Sequence, residues 1–155
     1  MVETVASWTV VADAEHGFSI RIPSRTPSDQ SVTIDRAERG GVGRIHAHTP
    51  DASELYVEVV AYPGLIDHPE AATEQRGYLS EQDPACRLTR VRAVKIGGLV
   101  GSGFRFSGTL GDLRRVRRFV YVDAADQTFR IVYDPTSALN RAVLRTLTIG
   151  EADRS

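Results

Sequence analysis

One cysteine, one methionine, one tryptophan and one lysine are all that the 155 residues hold of those types. With Cys86 alone, no intrachain disulfide and no multi-cysteine metal site can form. A lone thiol suits a reducing cytoplasm, which is the expected location. Long apolar runs are absent, and no segment approaches the ~20 residues of a membrane-spanning helix. The opening stretch MVETVASWTVVADAEHG has neither a basic n-region nor an apolar h-region. No secretory signal is therefore expected in it, and a leader removed earlier would leave no trace here. Charge of one sign is lacking too: 19 basic residues face 20 acidic ones, a net −1. Such a chain has no global field that steers it to nucleic acid or anionic lipid. Lys95 is the sole lysine, and the arginine-for-lysine bias fits the codon usage of a GC-rich bacterial genome better than an arginine-dependent function. No Gly-x-Ser-x-Gly elbow, phosphate loop or dinucleotide fingerprint is present. Gly101-Ser102-Gly103 falls inside a strand pattern without the elbow's spacing.

At this length the chain reads as one domain, 1–155, able to bury about two-thirds of its unfolded surface. Its most patterned part runs from Gly97 to Ile149. GGLVGSGFRFSGTL, RRVRRFVYVDA and QTFRIVYDPTS read as three strands joined by tight turns, and ALNRAVLRTLTIG as a closing helix. Four-residue loops at 109–112 and 123–126 pair Gly108 with Leu113, Gly103 with Arg118, and Val122 with Gln127. One face then carries Leu99, Gly101, Gly103, Arg105, Val116, Arg118, Val120, Phe129, Ile131 and Tyr133. The other carries Phe104, Phe106, Arg115, Arg117, Phe119, Tyr121, Arg130 and Val132. Apolar residues on both faces predict a sheet covered on both sides. Leu139, Val143 and Leu147 form the stripe by which the closing helix should dock, with Gly101 and Gly103 letting it approach closely.

Upstream, SWTVVAD and Phe18–Ile22 read as two strands around a turn at Gly17. A short strand is expected at Val32–Ile34, then Arg44–Thr49 and Glu54–Tyr62 as a pair. Leu55, Val57, Val59 and Ala61 should face one way, and Tyr56, Val60 and Tyr62 the other. The segments 24–30 and 36–43, rich in breakers and charge, are expected to be the mobile parts. A helix is predicted from Asp67 as N-cap to Gln82, with Pro69 in its first turn and Ala71, Ala72, Gln75, Tyr78 and Leu79 on its buried side. From Arg87 to Ile96 the alternation returns, with Leu88, Val94 and Ile96 on one parity.

HGFSIRIPSRTP places Phe18, Ile20, Ile22 and Pro23 in an aromatic-x-aliphatic-x-aliphatic-Pro pattern. That opening, and the glycine-marked meander ending in TFRIVYDPTSALNRAVLRTL, resemble the PsbP-like fold. The resemblance implies an α+β architecture: a single antiparallel β-sheet of about six or seven strands sandwiched by helices. It implies binding more often than catalysis, and it brings no shared catalytic residues.

Candidate sites are few. His46 and His48, two apart in a strand, point the same way and could share a metal, but a third ligand from Asp51, His68 or Glu58 would be needed. Two surface histidines are the simpler reading, and no metal and no cofactor are expected. Arg114, Arg115, Arg117 and Arg118 form the densest basic cluster. Beside Phe104, Phe106, Phe119 and Tyr121 it admits a nucleic-acid-binding sheet, yet strand geometry splits the arginines between faces, so nucleic acid is the weakest reading. Arg115 opposite Asp134 would be a cross-strand ion pair. Cys86 reads as a small, partly buried residue rather than a nucleophile. Arg105 and Arg118 share a face and could hold an acidic ligand between two guanidiniums. The leading expectation is a non-enzymatic binding or chaperone-like module with a protein partner. A small-molecule or anion-binding domain, or an enzyme with an unrecognised site, is the alternative.

Overall fold

In the computed structural model, residues 5–23, 31–36, 42–49, 52 and 54–149 are described. Of the segments expected to be mobile, 24–30 and, within 36–43, residues 37–41 lie outside them, while Arg36 and Gly43 pair with each other across two strands. Among the described residues, after a 3-10 turn at Val5–Ser7, eleven strands and two α-helices follow one another: β1 (Thr9–Asp13), β2 (Phe18–Ile22), β3 (Ser31–Arg36), β4 (Gly43–His48), β5 (Tyr56–Ala61), α1 (His68–Gln82), β6 (Arg87–Leu88), β7 (Arg92–Ile96), β8 (Leu99–Leu110), β9 (Leu113–Ala124), β10 (Gln127–Tyr133), α2 (Ala138–Leu144) and β11 (Thr148–Ile149).

The meander is the centre. β8 and β9 are joined through Gly111-Asp112 and β9 and β10 through Ala125-Asp126, with Leu110 opposite Leu113 and Ala124 opposite Gln127. Both loops are two residues long, not four. Gly111 takes a φ of 64°, and Ala125 and Asp126 take 53° and 62°. Positive φ matches the strand twist in such tight loops, and it is uncommon enough without glycine that Ala125-Asp126 does not announce itself. Each register therefore moves by two residues from the expected one. A shift of two keeps every side chain on its face, so the two faces are as predicted. Arg118 now lies opposite Arg105 and Tyr133, and Gly103 opposite Val120.

All pairings are antiparallel. The large sheet runs β3-β4-β5-β10-β9-β8-β6, with β7 also on β8, eight strands among the described residues. A second sheet, β1-β2-β11, was not foreseen. β11 is the tail of what the sequence presented as the closing helix. α2 stops at Leu144, and Thr148–Ile149 pair with Ser19 and Phe18 of β2. Thr146 fixes that exit: its hydroxyl donates to the Val143 carbonyl at 2.6 Å and accepts from the Arg21 amide at 2.8 Å.

Two cores result. On one face, Phe18, Ile20 and Ile22 of β2 and Val143 and Leu144 of α2 pack over Ile45, Val57, Val59, Val120, Phe129 and Ile131. On the other, Ala72 and Leu79 of α1 pack over Phe104, Phe106, Phe119, Tyr121 and Val132. The sheet is thus sandwiched, with a helix on each side. Asp67 caps α1 by accepting from the Glu70 amide at 3.1 Å, as its sequence position implied. Tyr78 is 57% exposed, so the buried stripe is narrower than read. Leu88 packs in the α1 core while Val94 and Ile96 reach the α2 core. The break at 89–91, between β6 and β7, reverses the parity that the sequence carried through. Gly101 and Gly103 do not serve α2. A Cβ at Gly103 would meet the Phe119 carbonyl oxygen at 2.6 Å, and one at Gly101 would collide with that of Tyr121. The glycines let β9 coil tightly onto β8.

Candidate functional site

α2 is positioned by its own first turn. Ser137 caps it, accepting from the Asn140 amide at 3.2 Å. Asn140 is buried, and its amide oxygen accepts from the Tyr56 amide at 3.0 Å while its nitrogen donates to the Glu54 carbonyl at 3.0 Å. These bonds staple the helix to the start of β5. The rest of α2 and β11 then form one wall of a cleft whose other wall is the β7–β8 hairpin. The cleft has a volume of about 560 Å³. Ile96, Leu99, Ala124, Leu144, Leu147 and Ile149 supply apolar surface, and Tyr133, Arg141 and Arg145 supply the polar groups. Ala124 and Tyr133, both in its wall, lie six residues apart in register along the β9–β10 ladder, or about 20 Å at ~3.3 Å per residue. Arg141 donates to the Pro135 carbonyl at 2.8 Å, which places it at the Tyr133 end.

Arg118 reaches this cleft through Tyr133, donating to its hydroxyl at 3.3 Å. Arg105 is directly opposite on β8 and exposed. It borders a shallow hollow with Arg87, Leu88, Thr89 and Ser107. The structure thus brings the two candidate arginines side by side on one face.

The other face holds a polar cluster beyond the reach of α1. Glu58 is 4% exposed. Its carboxylate accepts from Arg130 Nη2 at 3.0 Å and from Arg44 Nε at 2.8 Å, with Arg44 Nη2 on the same oxygen. His46 and His48 do share this face, as their spacing implied. Their rings lie one against the other, with centroids 4.4 Å apart, and His46 also meets the edge of Tyr56 at 4.9 Å. His48 Nδ1 donates to the Thr49 carbonyl at 2.8 Å. His46 Nε2 is buried with no hydrogen-bond partner, and burial pushes its pKa down from 6.5. No third metal ligand joins the pair among the described residues. The one group of metal-ligand types that does converge there is Asp13, Glu15 and His16, at the β1–β2 turn. His16 donates its amide to Asp13 Oδ1 at 3.2 Å and places Nδ1 3.0 Å from Oδ2, which is the geometry of a locked turn.

A serine–histidine–aspartate contact escaped the sequence reading. Ser102 Oγ and His68 Nδ1 are hydrogen-bonded at 2.7 Å, and His68 Nε2 is 3.8 Å from Asp123 Oδ2. The second distance is too long for a hydrogen bond. Ser102 is only 6% exposed and lies mid-strand between Ala93 of β7 and Tyr121 of β9. A nucleophile needs room for the reacting carbonyl and an adjacent oxyanion site. This serine instead ties the first residue of α1 to the centre of the sheet. Cys86 packs beside the α1 core, as expected.

No family model matches the chain, and no curated protein matches it. Among solved structures it is similar to cyanobacterial PsbP (CyanoP) from Synechocystis, with a TM-score of 0.60 and 11% identity over 94% of each chain. It is similar also to a protein from Bacteroides thetaiotaomicron, at TM-score 0.52 and 16% identity, over 88% of this chain and 46% of that one. LpqN of Mycobacterium tuberculosis, involved in cell envelope biogenesis, aligns over 81% of this chain and 75% of its own, at 20% identity and TM-score 0.40. The chain has a PsbP-like fold. No helix among its described residues is long and apolar enough to cross a membrane.

Proposed function

We propose that this protein is a non-enzymatic binding module, and that the α2 cleft holds an amphipathic anion: an extended apolar body with one acidic group. The cleft itself carries this reading. Its volume lies within the ~300–1,000 Å³ of small-molecule sites, and it joins apolar walls to a few convergent polar groups. The acidic end belongs near Tyr133, where Arg141 lines the wall and Arg118 stands behind the tyrosine hydroxyl. Guanidinium forks match carboxylate and phosphate geometry. Arg105, opposite Arg118, adds to the positive field at that end.

A protein partner, the first expectation from sequence, fits the cleft less well. A peptide laid in it would bring backbone amides that must find hydrogen-bond partners. The walls named above are mostly aliphatic side chains, which offer none. An acyl-type chain buries nothing polar along its length.

A fluorescent long-chain fatty acid tests the proposal by direct titration. Saturable binding at one equivalent is expected, abolished in Leu144→Arg and weakened in Arg118→Ala with Arg141→Ala. The uncharged alcohol of the same chain should bind more weakly. No binding of the acid, together with tight binding of an acidic apolar peptide, would transfer the site to a protein partner and refute this reading.

A further inference from the structure

β9 is longer than its neighbour. The ladder between β10 and β9 ends where Tyr133 meets Arg118, yet β9 continues back to Leu113. Residues 113–117 consequently have β8 on one side and, among the described residues, no strand on the other. The chain leaves the sheet there at Asp134, toward α2. A notch of about 240 Å³ opens at this point, lined by Ala52, Ser107, Asp134 and the arginines 114, 115 and 117.

Arg117 is the unusual member. The residue is 3% exposed. Its guanidinium lies over the Tyr56 ring, 4.1 Å from the centroid, and Nη1 donates to the Val116 carbonyl at 2.9 Å. Those are modest partners for a group with five N–H donors. No carboxylate comes within ion-pair distance of it among the described residues; Asp134, in the same wall, turns Oδ1 to the amide and hydroxyl of Thr136, at 2.8 and 2.6 Å. Burying a cation is costly unless an opposite charge and hydrogen bonds accompany it.

We infer that the notch beyond the end of β10 is a binding site for a phosphate group, either the free ion or the end of a small phosphomonoester. Arg117 forms its floor, Arg114 a flank, and the Ser107 hydroxyl a further donor. Two guanidiniums, one buried and one exposed, suit an oxyanion, whose several oxygens use several forks at once. The volume is below the usual range of drug-sized sites, so the notch takes a phosphate and a few further atoms, not a whole nucleotide. Residues 114–117 of the basic run, which strand geometry divides between faces, meet again at this edge because the neighbouring strand has ended. The inference uses none of the α2 cleft and stands or falls without it.

Calorimetric titration with inorganic phosphate, at ionic strength held constant with chloride, tests it. Saturable binding is expected at one site. Arg117→Met, which keeps an unbranched stem and removes the charge, should weaken it at least ~10-fold, the loss of one charge-assisted contact. Arg114→Ala, at an exposed position, should weaken it several-fold without touching the fold, and Arg105→Ala should leave it unchanged. Glycerol phosphate binding as well as the free ion would show that a terminal phosphate is read; binding of the free ion alone would show a closed site. Heats that vanish at matched ionic strength, or binding unaltered in both Arg117→Met and Arg114→Ala, would overturn the proposal.

Discussion

Glu58→Gln probes the polar cluster where its energetics are most exposed to test. The carboxylate is buried, and its two oxygens divide between Arg130 and Arg44. The amide keeps the shape and removes the charge. Taking away one partner of a buried ion pair costs ~3–5 kcal/mol, because the other charge is left uncompensated. Here that applies in full only to Arg130, whose side chain is 21% exposed; Arg44, at 39%, finds water. An expected cost of ~2–3 kcal/mol follows, a large share of the ~5–15 kcal/mol that holds a domain together. With a urea dependence of ~2 kcal/mol/M, the denaturation midpoint should fall by ~1–1.5 M. The double variant Glu58→Met/Arg130→Met removes both charges, and should recover most of the loss. A Glu58→Gln midpoint within ~0.3 M of the parent, or a double variant less stable than the single, would refute this reasoning.

Val143→Ala should cost ~1–3 kcal/mol, since Val143 is fully buried on the inner face of α2, while Leu147→Ala, half-buried at the cleft, should cost less; urea midpoints in the opposite order would mean that α2 is not docked as described. Gly101→Ala should part the β8–β9 ladder and lower stability by ~1–3 kcal/mol or more. Gly77→Ala, in α1 with open space around it, should raise stability by ~0.5–1 kcal/mol, and equal midpoints for the two variants would contradict the close approach of β9. Burial holds His46 below its ordinary 6.5, so the folded state binds fewer protons than the unfolded one just below that pH. Stability should therefore fall as pH drops below ~6.5, until the folded imidazole also protonates. His46→Gln should flatten part of that slope, and denaturation curves at several pH values giving the parent's slope in the variant would show that His46 does not contribute.

The sequence made the meander legible because alternation over long strands survives an error in loop length. Ala125-Asp126 hid its turn type, yet the register error was even, so Arg105 and Arg118 were still assigned to one face. The second sheet was illegible for the opposite reason: Thr148–Ile149 is too short to show a period, and it follows a helical pattern directly. The break at 89–91 carried no glycine or proline to mark the change of parity. The α2 cleft takes its walls from 96–99, 124, 133 and 141–149, segments that only the tertiary fold brings together. Arg117 was placed correctly among aromatics, but its burial, with no carboxylate within ion-pair distance among the described residues, depends on where β10 ends. Ser102 and His68 meet only in the fold, since 34 residues separate them in the chain.

Native mass spectrometry of the protein purified from its own cells tests the central claim most directly, since it records what the α2 cleft carries. The account predicts a single adduct with the mass of an amphipathic anion, released by organic solvent and missing from Leu144→Arg protein made the same way. A bare chain, a co-purifying protein in place of the adduct, or an adduct that persists in Leu144→Arg would contradict it.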